Sequence, residues 1–166
     1  MTKQFNKGHW LKGAIMNLDR QKVTPPINIF SGEPGLGAAL TNPTELGRSK
    51  GSLSKAYRVT YAGKLYGDAE SAYQVNKTGN VELDDQMMVE IVCAKFRQHP
   101  DLADEVDKRG GAAWLASCSH LTGAQSEEAQ AWEGKGMQSR FIRNLVAGWN
   151  RYKQDDHTEQ GQRSLF

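Results

Sequence analysis

Cysteines, long apolar runs and a strong net charge are all scarce in this sequence. The two cysteines, Cys93 and Cys118, lie at neither CxxC spacing nor a zinc-like histidine spacing, which argues against a disulfide framework or a zinc site and favours a reducing compartment. No stretch approaches the roughly 18 apolar residues that a membrane-spanning helix needs, and the opening MTKQFNKGHW lacks a signal-like apolar run. We therefore expect a cytoplasmic protein with no membrane partner.

The net charge is low because 21 basic residues nearly balance 19 acidic ones. The chain as a whole therefore does not require a polyanionic partner. Local charge is uneven, since the first 24 residues contain only one acid, Asp19, beside a set of cations. These cations are Lys3, Lys7, Lys12, Arg20 and Lys22. We interpret residues 1–24 as a basic N-terminal arm, either solvated or in contact with phosphate.

The length of 166 residues suits one domain. An apolar content of 38% is enough for a single core, and we place the domain at residues 25–152. Residues 153–166 are polar and show no apolar periodicity, so we expect a flexible tail there.

Short alternating runs predict strands near the start of the domain. Residues 57–61 alternate large and polar side chains, and 64–66 form a second run after Ala62 and Gly63, which predicts a β-hairpin. Residues 27–30 form another β-like run. Glycine and proline make residues 31–47 a loop of the kind that often contacts ligands, and residues 117–138 a second loop.

The spacing of apolar residues also predicts helices. One covers residues 69–78, where Asp68 can cap the first turn, and another covers 85–98. A short helix begins at Pro100 and ends at Gly110. The last helix has an apolar stripe formed by Phe141, Ile142, Leu145, Val146 and Trp149. Together these elements predict a small α+β domain, mostly helical, with a short antiparallel sheet or hairpin.

The most informative polar group lies in residues 68–77. Helical spacing puts Glu70, Gln74 and Lys77 on one face. A carboxylate, an amide and an ammonium group arranged in this way can hold a sugar and a phosphate. The alternative is a solvated helix face with ordinary charge pairs.

Four blocks of sequence, at residues 27–31, 58–74, 94–102 and 132–136, resemble in order those of the NADAR family, the YbiA-like N-glycosidases. The first resembles the family's opening strand, and the second its hairpin and following helix start. The third is similar to its Lys-Phe-x-Gln-x-Pro-x-Leu block and the fourth to its Trp-Gly-x-Gly turn. The resemblance implies the small α+β fold of that family.

The resemblance also implies hydrolysis of an N-glycosidic bond, either in a ribosylaminopyrimidine phosphate of the riboflavin pathway or in ADP-ribose attached to guanine in DNA. The catalytic glutamate of the family corresponds to Glu70. A carboxylate can stabilise the positive charge that builds on the sugar carbon, or activate water. Because Glu70 lies in a first helical turn, we expect the helix dipole to favour its ionised form and assign it the anion or base role.

Two departures from the family pattern leave the mechanism open. Ala129 stands where the family commonly has an aspartate, and a second tryptophan ahead of residues 85–98 has no counterpart. Glu128, Glu133 and His120 are candidates for the missing acid. A non-catalytic binder of ADP-ribose or another nucleotide is therefore the alternative function.

Several residues are candidates for substrate binding. Trp132 can stack on a base or anchor its glycine turn in the core, and Asn42 resembles a family loop but is also an ordinary turn former. His99 and His120 lack partners at metal-ligand spacing, so we expect no metal and no cofactor. The full predicted binding set is Asn42, Tyr73, Gln74, Lys77, Trp132 and Gly134.

The chain ends in GlnArgSerLeuPhe, which resembles the peptide by which bacterial proteins dock on the DNA sliding clamp. Gln162, Leu165 and Phe166 would be its contact residues. A chance apolar ending is the alternative interpretation. A clamp-docking tail would favour a substrate in DNA, with the basic arm near phosphate.

Overall fold

The computed structural model of the chain describes residues 23–164, which are mostly helical with two small antiparallel hairpins. Most of the basic arm, and Leu165 and Phe166 of the docking peptide, lie outside the described residues. The helices are α1 (Leu36–Leu40), α2 (Thr44–Ser49), α3 (Ala69–Asn76), α4 (Val81–Gln98), α5 (Pro100–Arg109), α6 (Ala112–Ser117), α7 (Glu127–Gln130) and α8 (Arg140–Arg163). The strands are β1 (Val59–Tyr61), β2 (Lys64–Tyr66), β3 (Ser119–His120) and β4 (Gly134–Lys135), and a 3-10 turn covers Gly136–Gln138.

The core is built around the packing of α4 against α8. Both predicted apolar stripes are buried, and the ring of Phe96 meets the ring of Trp149 edge-on at 5.0 Å. The helices approach closely at Gly148, where an added Cβ would lie 2.4 Å from Cγ1 of Val92. Burial of each large apolar side chain stabilises such a core by about 1.5–3 kcal/mol. The buried stripe residues are Met88, Ile91, Val92, Phe96, Phe141, Ile142, Leu145, Val146 and Trp149.

Helix ends follow the expected capping chemistry. The carboxylate of Asp68 accepts the backbone N–H of Ser71 at 2.9 Å, which confirms it as the cap of α3. The side chain of Asn80 caps α4, so this helix begins before the predicted residue 85. Pro100 opens α5 and Gly110 ends it with a φ of 122°.

The predicted hairpin is confirmed as β1 and β2, with Val59 paired to Tyr66 and Tyr61 to Lys64. Both turn residues have positive φ, 49° at Ala62 and 77° at Gly63, as the commonest two-residue hairpin turn requires. The β-like run at 27–30 makes a single parallel bridge, between Asn28 and Ser119.

Two loop predictions need correction. The segment 31–47 contains α1 and the start of α2, and the segment 117–138 contains the β3–β4 hairpin and α7. These elements are too short to give a clear apolar period. The glycine and proline residues in both segments therefore led to the prediction of loops.

The prediction of a flexible tail is wrong for residues 153–163, which continue α8. Polar contacts hold its first part to neighbouring helices. Lys153 pairs with Asp107 at 2.9 Å, and Asp155 with Arg97 at 2.6 Å. The helix therefore continues without an apolar stripe.

None of the helices within residues 23–164 combines the length and apolarity needed to cross a membrane.

Candidate active site

A cleft with a volume of about 620 Å³ lies beside α3. It brings together residues that are distant in sequence, including Ala129 and His120. Most of the predicted site residues line it, whereas Gly134 lies outside this set. The predicted residues in the cleft are Asn42, Glu70, Tyr73, Gln74, Lys77 and Trp132.

The start of α3 is tied to the loop that carries Asn42. The backbone N–H of Glu70 donates to the carbonyl of Asn42 at 3.1 Å. Asp68, while capping α3, also accepts the backbone N–H of Glu45 in α2 at 3.0 Å. These bonds fix the backbone of Glu70 against one wall of the cleft.

Lys95 of α4 binds the same loop through a hydrogen bond to the residue before Asn42. Its side chain is 3% exposed, and Nζ donates to the carbonyl of Thr41 at 2.6 Å. Burial lowers the pKa of Lys95 to about 7, although the nearby charge of Asp68 opposes this shift. Sequence reasoning missed this residue. Its position seven residues after Met88 and four after Ile91, on the buried stripe of α4, was the available signal.

Glu70 is half-buried, and Oε1 accepts a hydrogen bond from Nε2 of Gln74 at 2.7 Å. Burial raises the pKa of Glu70, the charges of Asp68 and Glu128 act in the same direction, and the Gln74 bond and Lys77 oppose it. The expectation that the helix dipole would favour the ionised form is therefore wrong in direction. Desolvation is the largest cause, and Glu70 keeps its proton to higher pH than an ordinary glutamate.

Two of the three candidates for the missing acid are engaged elsewhere. Glu128 of α7 pairs with Lys77, the C-cap residue of α3, with 3.0 Å between Oε1 and Nζ. Hydrogen bonds from the side chain and backbone of Thr122 lower the pKa of Glu133. A carboxyl group with a lowered pKa is a poor proton donor near neutral pH.

Trp132 is half-buried, and its contacts support the anchoring role, while its place in the cleft leaves stacking on a base a prediction. The edge-on ring of Tyr73 lies 5.5 Å from its ring, and the guanidinium of Arg140 lies 4.0 Å from the ring centroid. Its carbonyl accepts the hydroxyl of Ser139 at 2.8 Å, which anchors the turn. Arg140 is itself held by Asp85 at 2.7 Å. The indole is thus a fixed aromatic surface at the cleft.

His120, the third candidate, has one ring nitrogen committed to the backbone. Nδ1 lies 2.6 Å from the carbonyl of Ile29, and the ring stacks on Phe141 with centroids 4.2 Å apart. Burial lowers the pKa of His120, while the Ile29 carbonyl and the charge of Glu133 oppose the shift. The imidazole is therefore mainly neutral at pH 7.

Gly134 pairs with His120 in the β3–β4 hairpin, and its φ is 155°. An added Cβ there would lie 2.8 Å from the backbone nitrogen of Ser139, which caps α8. Close packing therefore accounts for this glycine. Gln162, predicted as a clamp contact, is an exposed residue of α8.

In the part of the chain that the structure describes, histidine, cysteine and acidic side chains form no group of three that could hold a metal ion.

Comparisons of this chain with protein-family models, with curated proteins and with solved structures found no match.

Proposed function

We propose that this protein is an N-glycosidase that hydrolyses the C–N bond between a ribose carbon and a base in an ADP-ribosylated or ribosylated compound. The observation that carries the proposal is the convergence of three separate segments on one cleft. They contribute Asn42, four residues of the segment 70–77, and Trp132. Of these, Glu70, Asn42 and Trp132 are also positions that the resemblance to NADAR proteins implies for the site.

The composition of the cleft suits a nucleotide-like ligand. Its volume of about 620 Å³ falls within the range of about 300–1,000 Å³ typical of ligand pockets. Lys50 and Lys77 supply ammonium groups for phosphate, and Lys50 already donates to the hydroxyl of Ser31 at 2.8 Å. Trp132 and Tyr73 supply aromatic surface for a base.

The raised pKa of Glu70 suggests its role in the reaction. When the C–N bond breaks, the leaving nitrogen takes the bonding electron pair and needs a proton. A glutamate whose pKa is raised by burial is suited to donate that proton. The carboxylate that remains then faces the positive sugar carbon. We therefore assign Glu70 the acid role, in place of the base role expected from the sequence.

Within this class we favour ADP-ribosyl-guanine in DNA over a free ribosylaminopyrimidine phosphate. Two sequence features are directed at DNA, the basic arm 1–24 and the C-terminal docking peptide. A chain ending at Gly161 should keep its turnover of a small substrate and lose any clamp-dependent turnover on DNA.

The test is product release, followed by mass spectrometry, from guanine-ADP-ribosylated DNA, free ADP-ribosyl compounds and ribosylaminopyrimidine phosphates. Glu70→Gln should lower turnover by about 100-fold or more, because it removes the proton donor. Glu82→Gln is the matched control, since Glu82 is an exposed first-turn glutamate of α4. Equal turnover in wild type and Glu70→Gln would contradict the acid role.

A second candidate function, a non-catalytic ADP-ribose binder, is favoured by one observation. Ala129 lines the cleft and provides no acid there. Such a binder would release no product from any substrate, and calorimetry would give similar ADP-ribose affinity for wild type and Glu70→Gln.

A further inference from the structure

The proton positions of His120 can be assigned from its hydrogen bond. The carbonyl oxygen of Ile29 can only accept, so Nδ1 of His120 must carry the hydrogen of their 2.6 Å contact. In the neutral ring the lone pair is then on Nε2. The stacked ring of Phe141, 4.2 Å away and inclined by 26°, fixes the plane of the imidazole.

Nε2 is available to a ligand or water. Within residues 23–164 it has no hydrogen-bond partner, and His120 lines the same cleft as Glu70. The ring is only half-buried. The arrangement is that of a general base, because one nitrogen is oriented by a carbonyl and the other has a free lone pair at the site.

We propose that His120 is the base of the reaction, with Nε2 accepting a proton from the water that attacks the sugar carbon. This inference rests on the proposed N-glycosidase function. The water oxygen bonds to the ribose carbon as the C–N bond breaks, and the electron pair of that bond goes to the leaving nitrogen. Glu70 protonates this nitrogen, and His120 takes the water's proton. Transfer of one proton from His120 to Glu70 through solvent restores both groups.

The surrounding charges are compatible with this role. Glu133, next to β4, is the charged group whose field acts on His120, and its carboxylate is held by Thr122. The ionisable side chains that share the cleft with His120 are Lys50, Glu70, Tyr73, Lys77 and Glu128. Glu128 and Lys77 neutralise each other in an ion pair. His120, with a lowered pKa, and Glu70, with a raised one, therefore line the same cleft, which is the kind of pairing that acid–base catalysis needs.

The deciding variant is His120→Asn. The asparagine amide can replace Nδ1 as donor to the Ile29 carbonyl, but it has no basic nitrogen in place of Nε2. We expect kcat to fall by about 100-fold or more, with the fold retained but a somewhat lower melting temperature, because the stacking on Phe141 is lost. In wild type, kcat/KM should fall as the pH drops through the pKa of His120, below its ordinary value of 6.5, and this acidic limb should be absent from the variant.

The outcomes separate the two proposals. If wild type releases product and His120→Asn keeps wild-type kcat and the same acidic limb, the role of His120 is overturned while the N-glycosidase function stands. If wild type releases no product from any of the substrates, the proposed function itself is overturned. His120→Gly leaves room for free imidazole at this position. If added imidazole partly restores the kcat that His120→Gly has lost, and His120→Asn has also lost kcat, the base role is supported directly.

Discussion

Nζ of Lys77 lies 3.0 Å from Oε1 of Glu128, and this ion pair joins the C-cap of α3 to α7 across the candidate active site. The described helix α7 buries none of its residues. Its other contacts are largely within its own segment, such as the cap from Ser126 and the bond from Gln130 to Ala124. The pair is therefore placed to hold α7 over the cleft.

Glu128→Gln should loosen α7 without destabilising the domain. The pair is solvent-exposed, so we expect little change in melting temperature. Amide hydrogen exchange in residues 124–130 should become faster, because the tie to α3 is lost. Glu127→Gln, a neighbouring exposed first-turn residue of α7, is the control. Unchanged exchange in Glu128→Gln would show that the pair does not hold the segment.

Lys95 should make stability increase with pH. Its pKa is about 7 in the folded chain against an ordinary 10.5, so between these values the unfolded state binds the extra proton. The free energy of unfolding should then rise by about 1.4 kcal/mol for each pH unit over this range. Below pH 7 Lys95 is protonated in both the folded and the unfolded chain. The free-energy cost of burying its charge then lowers the stability of the fold in full.

Urea denaturation of wild type and Lys95→Met, between pH 7 and 9.5, measures this effect. Other titrating groups contribute equally to both chains, so the difference between them isolates Lys95. A pH dependence that is the same in both would contradict the lowered pKa.

Gly134→Ala should destabilise the fold through a local clash. Its Cβ would lie 2.8 Å from the backbone nitrogen of Ser139, and backbone cannot move as a flexible side chain does. Gly123→Ala is matched, because Gly123 also has positive φ, 70°, but has no atom within 4 Å of its Cβ position. We expect Gly134→Ala to lose about 1–3 kcal/mol more than the control in urea denaturation. Equal losses would leave backbone strain as the sole cost.

Trp132→Ala should weaken the binding of ADP-ribose. Loss of one stacking aromatic costs about 1–3 kcal/mol of binding free energy, or roughly 5- to 150-fold in Kd. Trp132→Phe, which keeps an aromatic ring, should lie between wild type and the alanine variant. Calorimetry measures both, and equal affinities in all three chains would leave Trp132 with only its anchoring role.

Elements with a strong local pattern could be predicted from the sequence. The stripes of α4 and α8, the Asp68 cap and the hairpin turn at Ala62 and Gly63 all follow from residue spacing and turn chemistry. The helical residues 153–163 could not, because their ties are ion pairs to Asp107 and Arg97 on other helices. Sequence neighbours do not reveal such partners.

The residues of the candidate active site could likewise be predicted only in part from the sequence. Spacing alone predicts one helix face for Glu70, Gln74 and Lys77, although α3 ends at Asn76, before the predicted residue 78, and Lys77 is its C-cap residue. The positions of Asn42 and Trp132 beside them came from the resemblance, and the cleft then gathers all five. The spacing of Lys95 on the stripe of α4 could have indicated its burial, but its contact with the Thr41 carbonyl could not be predicted, nor could the tautomer of His120, which depends on the Ile29 carbonyl.

The sequence by itself determined the apolar stripes of α4 and α8, the β1–β2 hairpin and which carboxylate occupies the first turn of α3, since these depend on local spacing and capping. Only the tertiary structure decided the direction in which the pKa values of the buried ionisable groups shift. Desolvation depends on which distant atoms cover a group, and it raises the pKa of Glu70 while lowering those of Lys95 and His120. The acid and base roles proposed for Glu70 and His120 therefore depend on the cleft that tertiary packing forms around them, which residue order does not specify.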